Sequence, residues 1–365
     1  MSPTWICVGT GGVGKTTVSA AIAMAFARSG RRSLVATIDP ARRLGDTLGL
    51  HQLTGPTDVP GELGLSALAT DSNAGARALV EELLAIAPLH RDRMHASPLL
   101  AALSGGFAGM HELVALAELA RRAPSYEITV IDAAPSRHAI EVLALPRRLA
   151  EVIDGRAIVW LSELARATLG PRRGFGSRLL QGAKHWIIRA LASSIGAPVI
   201  DDALALLAFA GDVQPELSTW IGGASRLLDP SSARVVLVTT AREGALEHVD
   251  RLNAQLAEVG HAPALVIVNR VPDACPRSLA TEPALAPWTT TIHRAAAELE
   301  AARVATNAIV ARAATWGVPV IQIPIFSASD PSAVVGRIAS VLAAAPWFSN
   351  ERGEPPSMPA FAAVS

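Results

Sequence analysis

The sequence predicts an α/β fold: a mostly parallel, doubly wound sheet with an inserted helical subdomain. Three observations predict it. A strand, a glycine loop and a helix open the chain, at Trp5–Val8, Gly9–Thr17 and Val18–Arg28. Short apolar runs then recur between helical patterns, at Ser33–Ile38, Ile128–Ile131, Arg234–Thr240, Ala264–Val268 and Val318–Pro324. Strands in that rhythm pair in parallel through helical crossovers. Two long helical stretches, about 70–122 and 147–225, interrupt the rhythm as insertions.

The opening loop is Gly9-Thr10-Gly11-Gly12-Val13-Gly14-Lys15-Thr16-Thr17, which fits G-x-x-x-x-G-K-[ST]. Glycines let successive backbone N–H groups turn toward one point and form an anion-binding concavity. The helix that follows aims the positive end of its dipole at the same point. Lys15 adds a full charge for the outer phosphates, and the Thr16 hydroxyl is placed to ligate Mg²⁺. The strand before and the helix after the motif are the context it requires. The fold class is therefore that of a P-loop NTPase.

Ser33–Ile38 completes a βαβ unit and ends in Asp39-Pro40-Ala41. Asp39 then stands at the carboxyl edge of the sheet, where open α/β folds bind ligands. There it either caps a helix from Arg42 or reaches the terminal phosphate and its water. His51–Gly64 is rich in Pro, Gly and Thr and reads as a loop, and Leu65–Ala69 as a further strand. Ser72–Arg122 is mostly helical, with breaks near Pro88, Pro98 and Gly105-Gly106. Ile128–Ile131 ends in Asp132, the strand-terminal carboxylate that holds the Mg²⁺ shell through water in the Walker B pattern.

Arg147–Ser225 is helical apart from a short strand signal at Ala157–Leu161. Its basic middle, from Arg166 to Arg189, is flanked by apolar residues such as Trp160, Trp186 and Phe209. Apolar faces packed together with solvated arginines outside explain this pattern better than a groove for an apolar client. Glu243–Val259, Thr291–Trp316 and Ala333–Ala345 are the remaining helices, and 346–365 reads as a disordered tail. The expected organisation is one P-loop ATPase domain over 1–345.

Bulk properties narrow the classes. Lys+Arg and Asp+Glu both total 32 in 365 residues, so no net field recruits nucleic acid or an acidic membrane. Two cysteines, Cys7 and Cys275, imply no disulfide framework and fit a reducing, cytoplasmic setting. No run reaches the eighteen or so uninterrupted apolar residues of a membrane span. The loop begins close to residue 1, which leaves no room for a cleaved leader.

Taken together, the motifs resemble the arsenical-pump ATPase (ArsA-type) family, which includes the ATPases that target tail-anchored membrane proteins. Members carry a "deviant" Walker A, GKGGVGKTT, where this chain has Gly9–Thr17. They carry a switch I near TDPAHSL and a switch II near DTAPTGH; here these are Ile38–Leu44 and Asp132–His138. The resemblance spans roughly residues 4–345. It implies ATP and Mg²⁺ as cofactors, with Gly11 to Thr17 on the phosphates. Thr16 would ligate the metal and Asp132 would stand behind it. Lys15 and Asp39 would be catalytic, Asp39 by orienting the attacking water. Asn269 would contact adenine, and the segment from Pro324 would border the base. A homodimer around nucleotide and a protein client, apolar or membrane-linked, are also implied.

Departures from the family pattern limit what carries over. The signature lysine that reaches the partner's nucleotide is Thr10 here, so Arg42, Arg43 and Arg137 are weighed as substitutes. Arg137 also stands where switch II has glycine. Cys275 alone cannot build a zinc-bridged dimer, and the three-thiolate arsenite site is missing, so neither zinc nor arsenite binding is expected. His111, Glu112 and His138 suit capping or core contacts better than catalysis. The alternative to an ATP-hydrolysing switch is a nucleotide-gated protein-binding module with slow or vestigial hydrolysis. A small-metabolite kinase is less suited to the long helical insert.

Overall fold

The described residues of the computed structural model are 3–38, 43–51, 53, 55–106, 110–133, 137–169, 196–273, 288–328, 330–345 and 348. The strands are β1 (Thr4–Val8), β2 (Ser33–Thr37), β3 (Thr57–Asp58), β4 (Leu65–Ala69), β5 (Ile128–Asp132), β6 (Ala233–Thr240), β7 (Pro263–Val271) and β8 (Val320–Pro324). They form one sheet in the order β3-β4-β2-β5-β1-β6-β7-β8. Every pairing is parallel except β3 with β4. The sheet is thus the mostly parallel α/β architecture expected of a P-loop NTPase. One correction concerns His51–Gly64. That stretch is not all loop, because β3 adds an antiparallel edge through Thr57 and Asp58. Two residues are too few to show an alternating pattern.

All five positions of β1, β2 and β5 are buried, as strands covered on both faces must be. From β1 the chain moves to β2 on one side and later to β6, β7 and β8 on the other. The order therefore reverses beside β1, the place where such sheets open a ligand crevice.

The first helix, α1 (Lys15–Arg28), is apolar nearly all round: Val18, Ala20, Ala21, Ile22 and Phe26 are fully buried. Its alanines allow close approach on every side, to the sheet, to α2 (Arg43–Leu48) and to the C-terminal helix Pro331–Ala343. Trp5, Phe26 and Phe348 meet with ring centroids 4.8 to 5.9 Å apart, so buried packing continues as far as residue 348. Residues 349–365 lie outside the described set.

The chain divides into two compact units. One holds the sheet: 1–70, 119–143 and 227–365. The other, 71–118 and 144–226, is helical. In the helical unit, α3 (Ser72–Ile86), α4 (Arg91–His95), α5 (Pro98–Gly106), α6 (Met110–Arg122), α7 (Arg137–Ile153) and α8 (Arg156–Leu169) precede α9 (Ala197–Asp212) and α10 (Gln214–Leu227). The flanking residues of α6, α7 and α10 belong to the sheet unit. Leu83, Leu84, Met94, Ala205, Phe209 and Val213 form a small core. Asp202 accepts from Ser97 Oγ and the Leu99 N–H, both at 3.0 Å. It thereby satisfies the start of α5.

The strand signal at Ala157–Leu161 is wrong: those residues lie within α8. Burial there falls on Ser162 and Ala165, three apart, which is helical spacing. A Cβ on Gly211 would stand 2.3 Å from Ser162 Cβ, so α8 and α9 cross at a glycine. Packing of α8 against α9 overrides the β preference of Val159 and Trp160. The basic middle from Arg172 to Arg189, with Trp186, lies outside the described residues.

Three further helices belong to the sheet unit: α11 (Ala245–Glu258), α12 (Thr289–Thr315) and α13 (Pro331–Ala343). At the C-terminal end of α1, Arg28 pairs with Glu62 and donates to Gly336 O of α13 at 3.0 Å.

Candidate nucleotide site

The loop between β1 and α1 is fixed by contacts that only glycine permits. A Cβ on Gly9 would lie 2.2 Å from Val238 O of β6, so β1 hands over to the loop against a neighbouring backbone. Gly12 and Gly14 have φ of 77° and 87°, the left-handed region that costs other residues about 1–2 kcal/mol. At Gly14 a side chain would also meet Asn269 Nδ2 at 2.5 Å. Gly11 and Gly12 are exposed, Val13 is buried, and Thr16 and Thr17 are half-buried on the first turn of α1. Lys15 is buried along its stem, and its ammonium donates to Thr10 O at 3.0 Å, which folds it back over the loop. The α1 N-terminus and this ammonium thus place positive charge on one small surface.

Asp132 ends β5 directly beside that surface and is 2% exposed. Its Cα is in register with Cys7 on one side and Thr37 on the other. Two hydroxyls face its carboxylate, Ser19 Oγ at Oδ1 and Thr37 Oγ1 at Oδ2, each at a long 3.4 Å. Ser19 also donates to Lys15 O at 2.9 Å, which ties the carboxylate to the first turn of α1. Behind them the Cys7 thiol is pushed up to about 12, chiefly by burial and further by Asp132. It stays protonated and is no nucleophile. The donors are all oxygens, the preference of a hard cation such as Mg²⁺. Thr16 and Asp132 could hold such an ion together with phosphate oxygens and water. Among the described residues no group of three His, Cys, Asp or Glu could hold a metal ion.

On the other side of β1 the loop is held by β7. Asn269 is buried; its Nδ2 donates to Val13 O at 2.9 Å, and its Oδ1 accepts the Arg270 N–H at 3.0 Å. Asn269 is therefore a clamp on the phosphate loop, a contact the sequence reading did not contain. Arg270 reaches Gly12 O at 3.4 Å. Pro324 ends β8, half-buried and in register with Val271.

Asp39, Pro40, Ala41 and Arg42 lie outside the described residues, as do 134–136 and the side chains of Arg137 and His138. Arg43 opens α2 and is exposed. The residues that sequence reasoning missed are Ser19, Thr37 and Arg270. Ser19 left one signal, a polar residue four places after Lys15 within an alanine run. Thr37 and Arg270 look like ordinary strand-end residues.

Residues 4–172 match the family described as anion-transporting ATPase. The chain is 34% identical to the ATPase ASNA1 homolog 1 of Paramecium tetraurelia over 145 residues, 39% of this chain and 43% of the relative. It is 28% identical to the ATPase GET3 of Mycosarcoma maydis, covering 69% and 68% of the two chains. It is 26% identical to the arsenical pump-driving ATPase of Escherichia coli, covering 72% of this chain and 38% of that one. The chain thus spans less than half of the first and third of these and about two thirds of the second. Among the described residues no helix is long and apolar enough to cross a membrane.

Proposed function

We propose that this chain belongs to the anion-transporting ATPase family and is an ATP-hydrolysing switch that acts as a nucleotide-bridged homodimer in the cytoplasm. The observation that carries the reading is the convergence of left-handed glycines, the Lys15 ammonium and buried Asp132 on the N-terminus of α1. Backbone amides from Gly11 to Thr17 cradle the phosphates. Lys15 leaves Thr10 O to neutralise the outer ones. Thr16 and Asp132 hold Mg²⁺, which when bound draws charge off the phosphate oxygens. Ser19 and Thr37 keep the Asp132 carboxylate aimed at that position. Asp39 orients the attacking water. Catalysis is then positioning plus charge neutralisation. The organisation proposed is one P-loop ATPase domain over 1–345, with the helical stretches as its insertions. Closing and relaxing of the switch segments would alter a helical surface that receives a protein client.

Thr10 supports a second reading, a nucleotide-gated binding module with slow hydrolysis, because the lysine that defines the deviant loop is absent. Phosphate release by wild type and Asp39→Asn separates the two. A rate that falls at least tenfold in the variant supports the switch; equal rates support the binding module.

A further inference from the structure

Arg270 is the sole non-glycine residue with positive φ among the described residues, at 58°. It sits where β7 slips against β8: Val268 pairs with Gln322 but Val271 with Pro324, so three steps on one strand match two on the other. Such a bulge re-aims a side chain, and its left-handed position is ordinarily filled by glycine. Here a long cation occupies it instead. A strained backbone at a site edge is a sign of function. The side chain is exposed, and its guanidinium touches Gly12 O of the phosphate loop. Among the described residues no carboxylate forms an ion pair with it.

The site also has a direction. Asp132, Ser19 and Thr37 mark the metal end, on the β5–β2 side of β1. Arg270 lies on the opposite side, across β6 on β7. A nucleotide whose outer phosphates meet the metal end extends its nucleoside toward β7.

We propose that Arg270 is a nucleoside-contacting residue, its flat guanidinium stacked on the base while one edge stays on the Gly12 carbonyl. A guanidinium is planar and weakly hydrated, so it stacks on aromatic faces where an ammonium does not. This rests on the phosphate-site reading above. Arg270 then makes the protein prefer a nucleotide over a bare polyphosphate.

Calorimetry on the full chain, with MgATP and with magnesium tripolyphosphate, tests it. Arg270→Gly keeps the left-handed backbone without strain, and Arg270→Lys keeps the charge without the plane. Both are expected to weaken MgATP by roughly 5- to 30-fold, with tripolyphosphate held within about twofold. Equal loss on both ligands would assign Arg270 to loop positioning and overturn the proposal. So would MgATP binding that is unchanged in both variants while Lys15→Ala abolishes it. A wild type that binds neither ligand overturns the phosphate-site reading as well.

Discussion

The sheet unit and the helical unit are built to different standards of fixity. In the sheet unit β1, β2 and β5 are buried at every position, and Lys15, Ser19, Thr37, Asp132 and Asn269 are buried with them. In the helical unit the cluster of Leu83, Leu84, Met94, Ala205, Phe209 and Val213 is small. Val152, Val159, Trp160 and Val199 remain 42–59% exposed there. Phosphate chemistry tolerates little displacement, and of the groups proposed for it Thr37, Asp132 and Asn269 stand on strands with a neighbouring strand on each side. The client surface proposed for the helical unit needs apolar area more than rigidity. A small core also opens locally at lower free energy than a large one.

Lys15→Ala should break the contrast most severely. Phosphate release should fall by roughly 10³-fold, about 4 kcal/mol in the barrier. Circular dichroism should be unchanged, since the Thr10 carbonyl to which the ammonium donates lies in a loop and not in a helix or strand. Retained turnover would remove the charge argument. Phe209→Ala addresses the other unit. It should cost about 3 kcal/mol there, seen as lost hydrogen-exchange protection in α3 and α9 while MgATP affinity holds. A matching loss in β1 and β5 would show that the two units open as one.

Gly9→Ala sharpens the comparison within the sheet unit. Its new Cβ would collide with Val238 O, a backbone atom that cannot swing aside. A loss of about 2 kcal/mol in urea unfolding is expected, whereas Gly11→Ala, which meets nothing within 4 Å, should be nearly neutral for stability.

Cys7 provides a pH signature of the buried sheet. Its native value of about 12 lies above the ordinary 9.0. The unfolded chain therefore loses the proton first. The stability from this group is full below about pH 9 and is lost as pH rises toward about 12, by about 1.4 kcal/mol per unit. Urea unfolding of wild type and Cys7→Ala between about pH 9 and 10.5 should differ by that slope; parallel curves would deny the burial. The smallest effect belongs to Trp160→Ser, within about 0.5 kcal/mol of wild type. If it destabilises strongly, its ring is structural and not available to a partner.

The phosphate loop was legible because its physics is local. Nine consecutive residues carry both the backbone turns and the charge. Asp132 could be read because a buried strand ending in a carboxylate is also a local pattern. The strand signal at Ala157–Leu161 failed because isolated β-branched and aromatic residues state a preference, and contact with α9 decided it. Ser19 and Thr37 could not be assigned to Asp132 in advance, since 113 and 95 residues separate them from it.

By itself, then, the sequence determined the strand–loop–helix at the start, the parallel sheet and the carboxylate that ends β5. All of these follow from short-range periodicity and from glycine. Only the tertiary structure decided that Asn269 clamps Val13, that β6 forbids a side chain at Gly9, and that Arg270 is turned onto the loop. Each of those depends on which strands become neighbours, and that is set by the burial of the whole sheet, not by any one stretch of chain.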